Sequence, residues 1–86
     1  MISYRKLNSP LSYQRTLNLL ERYTKIAFVE TRSTYFGNTV YHYEDGTWIC
    51  VTDQTVSIWD PVRKKTGYTS GETAVKYKEI LTTKGR

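Results

Sequence analysis

The chain is short of the residues that carry most small-domain chemistry. It has one cysteine, Cys50, one histidine, His42, and two prolines in 86 residues. A single cysteine cannot close an internal disulfide, which excludes a stapled secreted mini-domain and points to a reducing, cytoplasmic setting. One Cys and one His cannot supply a four-ligand zinc site. Long apolar runs are missing as well. Ile26–Val29 and Trp48–Val51 are the longest, four residues each, against the roughly 20 that span a bilayer. The opening Met1–Lys6 has no apolar stretch of signal-peptide length. Gly-rich phosphate loops, nucleophile elbows and paired-carboxylate motifs are absent, so no catalytic group, cofactor or metal is expected.

What is present leans toward β-structure and positive charge. Thirteen threonines, eight tyrosines and two tryptophans stand among the 86 residues. Thirteen Lys and Arg against eight Asp and Glu give a formal net charge of +5, with a mean hydropathy of −0.58. This length suits one domain, residues 1–86, with frayed ends at about 1–8 and 82–86.

Ser9-Pro10 reads as a helix start, with Ser as N-cap and Pro in the first turn. A helix is expected to about Tyr23, with Tyr13, Leu17 and Leu20 on one stripe and Arg15 and Arg22 opposite. Lys25–Thr31 reads as a strand apolar on both faces, hence central or doubly covered. Arg32–Asn38 reads as a loop.

Thr39–Glu44, Thr47–Thr52 and Thr55–Asp60 read as three short strands. Asp45-Gly46 is the strongest hairpin signal in the chain, and Asp53-Gln54 fits a second two-residue turn. Counting outward from two-residue loops pairs Tyr43 with Trp48, His42 with Ile49, Ile49 with Ile58 and Trp48 with Trp59. One face then carries Val40, His42, Ile49, Val51, Val56 and Ile58. The other carries Tyr41, Tyr43, Trp48, Cys50, Thr52, Ser57 and Trp59. A three-residue first loop with a glycine bulge would flip the first strand and send Tyr41 and Tyr43 to the core face. Asp60-Pro61 ends the third strand, and Val62–Gly67 reads as a basic loop. Thr69-Ser70-Gly71-Glu72 fits a capping box for a last helix through about Leu81, with Ala74, Tyr77, Lys78 and Leu81 inward. Val75–Lys78 also alternates like a strand, and the helix is preferred.

The expected fold is α+β: a single small domain with an N-terminal helix, an antiparallel meander of three or four strands and a C-terminal helix. Helix, strands, helix, with Lys64-Lys65-Thr66-Gly67 ahead of Thr73–Leu81, resembles the topology of a double-stranded-RNA-binding domain. That family's lysine cluster at the start of the last helix is replaced here by Gly71-Glu72-Thr73, so the likeness is one of topology and carries no membership.

Two functions follow. The first is a non-catalytic nucleic-acid-binding module. Arg15, Arg22, Lys25, Arg63, Lys64 and Lys65 would contact phosphates, beside an aromatic surface of Tyr43, Trp48 and Trp59 that would stack bases if uncovered. The other reading of these aromatics is a second hydrophobic layer under the last helix or a dimer partner. The second is a small protein that binds and inhibits a host protein through the same aromatics. The chain's size and its Thr, Tyr and Asn content are similar to those of phage and mobile-element proteins. A homodimer is compatible with either, and a membrane partner is not expected. His42 reads as a core-face polar residue, and Cys50 as a small buried filler.

Overall fold

The structure, a computed structural model, describes residues 10–33 and 37–84. Helix α1 (Tyr13–Tyr23) precedes strands β1 (Glu30–Ser33), β2 (Thr39–His42), β3 (Trp48–Val51), β4 (Thr55–Asp60) and β5 (Lys65–Ser70), and helix α2 (Gly71–Lys84) closes the chain. The strands form one antiparallel meander in the order β1-β2-β3-β4-β5. The expected α+β architecture stands, with five strands instead of three or four.

Both helices dock on one face of the sheet, against β4 and β5. Leu20 of α1 and Ala74, Tyr77 and Leu81 of α2 meet Tyr41, Tyr43, Ile49, Val51, Val56 and Ile58 in one buried cluster. The sheet contributes every second residue to it, as the pleat dictates. The anticipated inner stripe of α2 is therefore observed, with Lys78 half-buried at its margin. Leu20, Ile49, Val56, Ile58 and Leu81 have no exposed surface at all. Each such side chain contributes about 1.5–3 kcal/mol by leaving water.

Helix α1 starts later than expected. Ser12 is its N-cap, its Oγ accepting from Arg15 N at 3.2 Å; the anticipated cap Ser9 lies outside the described residues. The buried residues of α1 are Thr16 and Leu20. Tyr13, expected on the inner stripe, is 57% exposed and meets Thr73 Oγ1 of α2 through its hydroxyl. Thr16 sits inward because it faces Gly67 of β5, where no side chain opposes it.

Lys25–Thr31 is not a central strand. Residues 25–29 form the link out of α1, and the strand is Glu30–Ser33, at the sheet margin and exposed throughout. Phe28 alone turns inward, its ring edge-on to Tyr41 at 4.9 Å, while Ile26 and Val29 stay exposed. An apolar run of this length imitates a buried strand, yet here one side chain does the burying.

The basic loop expected at Val62–Gly67 is shorter. Pro61–Lys64 turns and Lys65 already begins β5. The capping box is also absent in its expected form. Thr69 spends its hydroxyl on Val56 O across the sheet at 3.0 Å, and the chain enters α2 through Gly71 at φ +63°, a left-handed conformation suited to glycine.

The first hairpin settles the register. Tyr43 N donates to Thr47 O at 2.9 Å and Gly46 N to Tyr43 O at 3.1 Å, with Gly46 at φ +96°. The loop is thus Glu44-Asp45-Gly46, three residues with a glycine bulge. Asp45 Oδ1 holds it by accepting from Thr47 N at 2.9 Å. His42 therefore pairs with Trp48, Tyr41 with Ile49 and Val40 with Cys50. Tyr41 and Tyr43 go to the core, and Val40 and His42 to the reverse face. This corrects the two-residue reading. The second turn is as counted: Thr52 N bonds Thr55 O at 2.9 Å, and Trp48 pairs with Trp59, Ile49 with Ile58.

Candidate binding face of the sheet

Neither α1 nor α2 covers the second face of the sheet. Two rows cross all five strands there. One is Glu30, His42, Trp48, Trp59 and Thr66, and the other is Arg32, Val40, Cys50, Ser57 and Tyr68. Trp48 and Trp59 are half-buried neighbours. Their rings stack with centroids 6.0 Å apart and planes 10° from parallel, an offset arrangement that suits the quadrupoles of both indoles. Tyr68 stands 61% exposed in the adjacent row. Val40 and Cys50 are partly exposed between these aromatics and the margin.

The charges on this face cancel locally. Glu30 and Arg32, two apart on β1, form an ion pair. The Arg32 hydrogen bond holds the Glu30 carboxyl below its ordinary range, and that carboxylate in turn raises the guanidinium. Burial pushes the Cys50 thiol up, so it stays protonated at neutral pH and is a poor nucleophile. No cluster of metal-binding side chains occurs among the described residues.

The Trp48–Trp59 end of the sheet also carries two turns. A Cβ at Gly46 would lie 3.7 Å from Pro61 Cβ, so the β2–β3 and β4–β5 turns are in contact. Asp60, 5% exposed, organises the second turn. It accepts from Val62 N at 2.9 Å, Arg63 N at 3.2 Å and Arg63 Nη1 at 2.8 Å. Lys64 follows at φ +56° with its N–H on Asp60 O.

Burial alone would raise the Asp60 carboxyl, but the Arg63 guanidinium and the two backbone donors outweigh it and hold it below the usual carboxylate range. Its contribution to stability is complete above the unfolded value near pH 3.9 and disappears as pH falls through the folded one. Asp60→Asn is expected to flatten the acid limb of the stability curve below about pH 4, read by urea unfolding at stepped pH. An unchanged acid limb would remove Asp60 from that role.

The sequence-predicted site divides in two. Trp48, Trp59, Arg63 and Lys64 gather at one end of the sheet, where Lys64 is exposed and Arg63 is tied to Asp60. Lys65 is half-buried and points to the helix side, sharing the phase of Gly67 and Thr69. Arg15, Arg22 and Lys25 belong to α1 or follow it, on the far side of the sheet. Arg22 lies 5.8 Å over the Tyr23 ring, and Lys25 is 3.6 Å from Glu21. Tyr43, expected on the aromatic surface, is 5% exposed in the core. Sequence reasoning missed Arg32, Thr66 and Tyr68 as members of the open face. The alternation of Thr66, Tyr68 and Ser70 against Gly67 and Thr69 was the available signal.

A groove of about 1060 Å³ lies at the opposite end of the sheet, between the β3–β4 turn and α2, lined in part by Thr52, Thr55, Ala74, Lys78 and Thr82. No described helix is long and apolar enough to cross a membrane. Comparison of the chain with models of protein families, with curated proteins and with solved structures finds no match.

Proposed function

We propose that the chain is a non-catalytic binding module that engages nucleic acid through the open sheet face. The observation that carries this reading is the parallel Trp48–Trp59 pair on a face that neither helix covers. Tyr68 extends the aromatic surface, and Arg63 and Lys64 stand at the same end of the sheet as phosphate partners. Unpaired bases stack on such rings for about 1–3 kcal/mol each, with little sequence preference. A net charge of +5 favours approach to a polyanion. Arg15, Arg22 and Lys25 serve as a second phosphate track only for a strand that wraps to the helix side. A reducing cytoplasm accords with the unpaired Cys50.

The test is fluorescence binding of labelled single- and double-stranded oligonucleotides at two salt concentrations. Trp59→Ala is expected to weaken single-strand binding about 5- to 100-fold. Lys64→Ala should lower the salt slope by about one. Absence of binding at low salt rejects the reading.

One observation favours a second reading, a small inhibitor that docks on a host protein. The open face carries one acid and one base that pair with each other, leaving it aromatic but not cationic, which is the character of a protein hot spot. Binding to a protein target that is insensitive to salt and lost in Trp59→Ala would support this reading over the first.

A further inference from the structure

The two margins of the sheet are treated differently. Along β5, Leu11 N donates to Thr66 O at 3.1 Å, so the segment leading into α1 meets that edge at Thr66. At the other margin β1 pairs with β2 only, among the described strands, and all four of its residues are exposed. A free edge offers unpaired backbone donors and acceptors to any strand that approaches. Proteins commonly block such edges with proline, a bulge or charges that repel a copy of themselves. Strand β1, Glu30-Thr31-Arg32-Ser33, has no proline, and its two charged residues are of opposite sign, placed symmetrically about Thr31.

We propose that β1 is a homodimerisation edge, with a second copy of this chain adding antiparallel through the same strand about a twofold axis at Thr31. In that register Glu30 stands opposite the partner's Arg32, Arg32 opposite the partner's Glu30, and the two Thr31 residues face each other. All four charges lie on one face of the joined sheet, and each has an oppositely charged neighbour along its own strand and another across the axis. A single lysine, or two like charges, at these positions would repel a copy; this acid and base match one. The contact is isologous and closes on itself, as a twofold interface must.

The joined sheet has ten strands, and the aromatic faces of both copies lie on the same side. Neighbouring strands are about 4.8 Å apart, so Trp48 of one copy sits roughly 24 Å from that of the other. Pairing of one short edge buries less than the ~1,200 Å² typical of stable complexes, so the dimer is weak and concentration-dependent. The net charge of +5 on each copy opposes association, and about 0.15 M salt screens that repulsion beyond roughly 8 Å.

Sedimentation of the full chain, raised to about 1 mM in 0.15 M salt, should show a monomer–dimer equilibrium. Glu30→Arg and Arg32→Glu each place like charges across the axis and should weaken the dimer about tenfold or more. Both residues are exposed, so both variants should keep the far-ultraviolet spectrum of the parent. An equimolar mixture of the two variants should regain dimer, as a heterodimer in which the cations of one strand meet the anions of the other. A parent chain that stays monomeric throughout overturns the proposal. So does a dimer that survives either single substitution, which belongs to another surface, or a mixture that gains nothing over its parts.

Discussion

Gly67→Ala is expected to destabilise the domain by about 3 kcal/mol, near the upper end for overpacking in a rigid contact. Helix α1 rests on β5 at this glycine. A Cβ there would lie 2.0 Å from Thr16 Oγ1 and 2.9 Å from both Thr16 Cβ and Cγ2. Rotating Thr16 does not relieve the clash, because its Cβ keeps its place in every rotamer. The hydroxyl is also committed, donating to Ser12 O at 2.8 Å, and the residue has no exposed surface. The helix must therefore lift from the strand, which loosens Leu20 from the core. In a domain of this size about 1 kcal/mol moves the melting temperature by 4–8 °C, so a fall of at least about 12 °C is expected. Adding Thr16→Ala removes two of the three opposing atoms and should return about 1–2 kcal/mol as a coupling energy. Strictly additive variants would mean that α1 does not sit on Gly67.

Tyr43→Ala is expected to cost about 3–5 kcal/mol, the usual range for a buried aromatic, whereas His42→Ala should stay within about 1 kcal/mol. Tyr43 is 5% exposed. Its ring meets Tyr23 edge-on at 5.0 Å and Phe28 at 6.3 Å, and its hydroxyl donates to Tyr23 O at 2.7 Å. His42 is on the opposite face, opposite Trp48. A two-residue first turn would reverse the order of these two effects, so urea unfolding of the pair reads the register directly. Tyr43→Phe isolates the hydroxyl and should cost about 1 kcal/mol. Burial, with the neighbouring Tyr41 and Tyr23, pushes the Tyr43 phenol up to about 12. The unfolded chain ionises first, near pH 10, so stability should decline as pH rises from about 10 to 12 and decline less in Tyr43→Phe.

The legible parts of the fold are those governed by neighbours in sequence. Thr52 and Thr55 close a two-residue turn, and that alone aligns Trp48 with Trp59 and Ile49 with Ile58. Asp45-Gly46 marks a reversal but accommodates two loop lengths, since glycine tolerates the positive φ that either demands. The choice between them moves Tyr43 from one face to the other. What selects the longer loop is remote: Tyr23 of α1 and Phe28 close over the Tyr43 ring. Strands β1 and β5 escaped reading for another reason. A marginal strand covered by no helix needs no apolar face, so Glu30–Ser33 shows no alternation, and Lys65–Ser70 carries a glycine where α1 must approach.

The candidate site follows the same division. The pairing of the two indoles was legible because one turn sets it. The company they keep was not. Arg15 and Arg22 look like neighbours of any basic loop in a linear chain, yet α1 docks on the far face and carries them away. The amino-acid sequence by itself determined the first helix, the two central reversals and the adjacency of Trp48 and Trp59, because backbone conformation and short-range pairing decide these; it left the last element between helix and strand. Only the tertiary structure decided that both helices pack on the aliphatic side and leave the tryptophan side to neither, because that depends on how much apolar surface distant helices bury together. The tryptophans thus stay on the open side, while the longer first loop sends Tyr43 to the core.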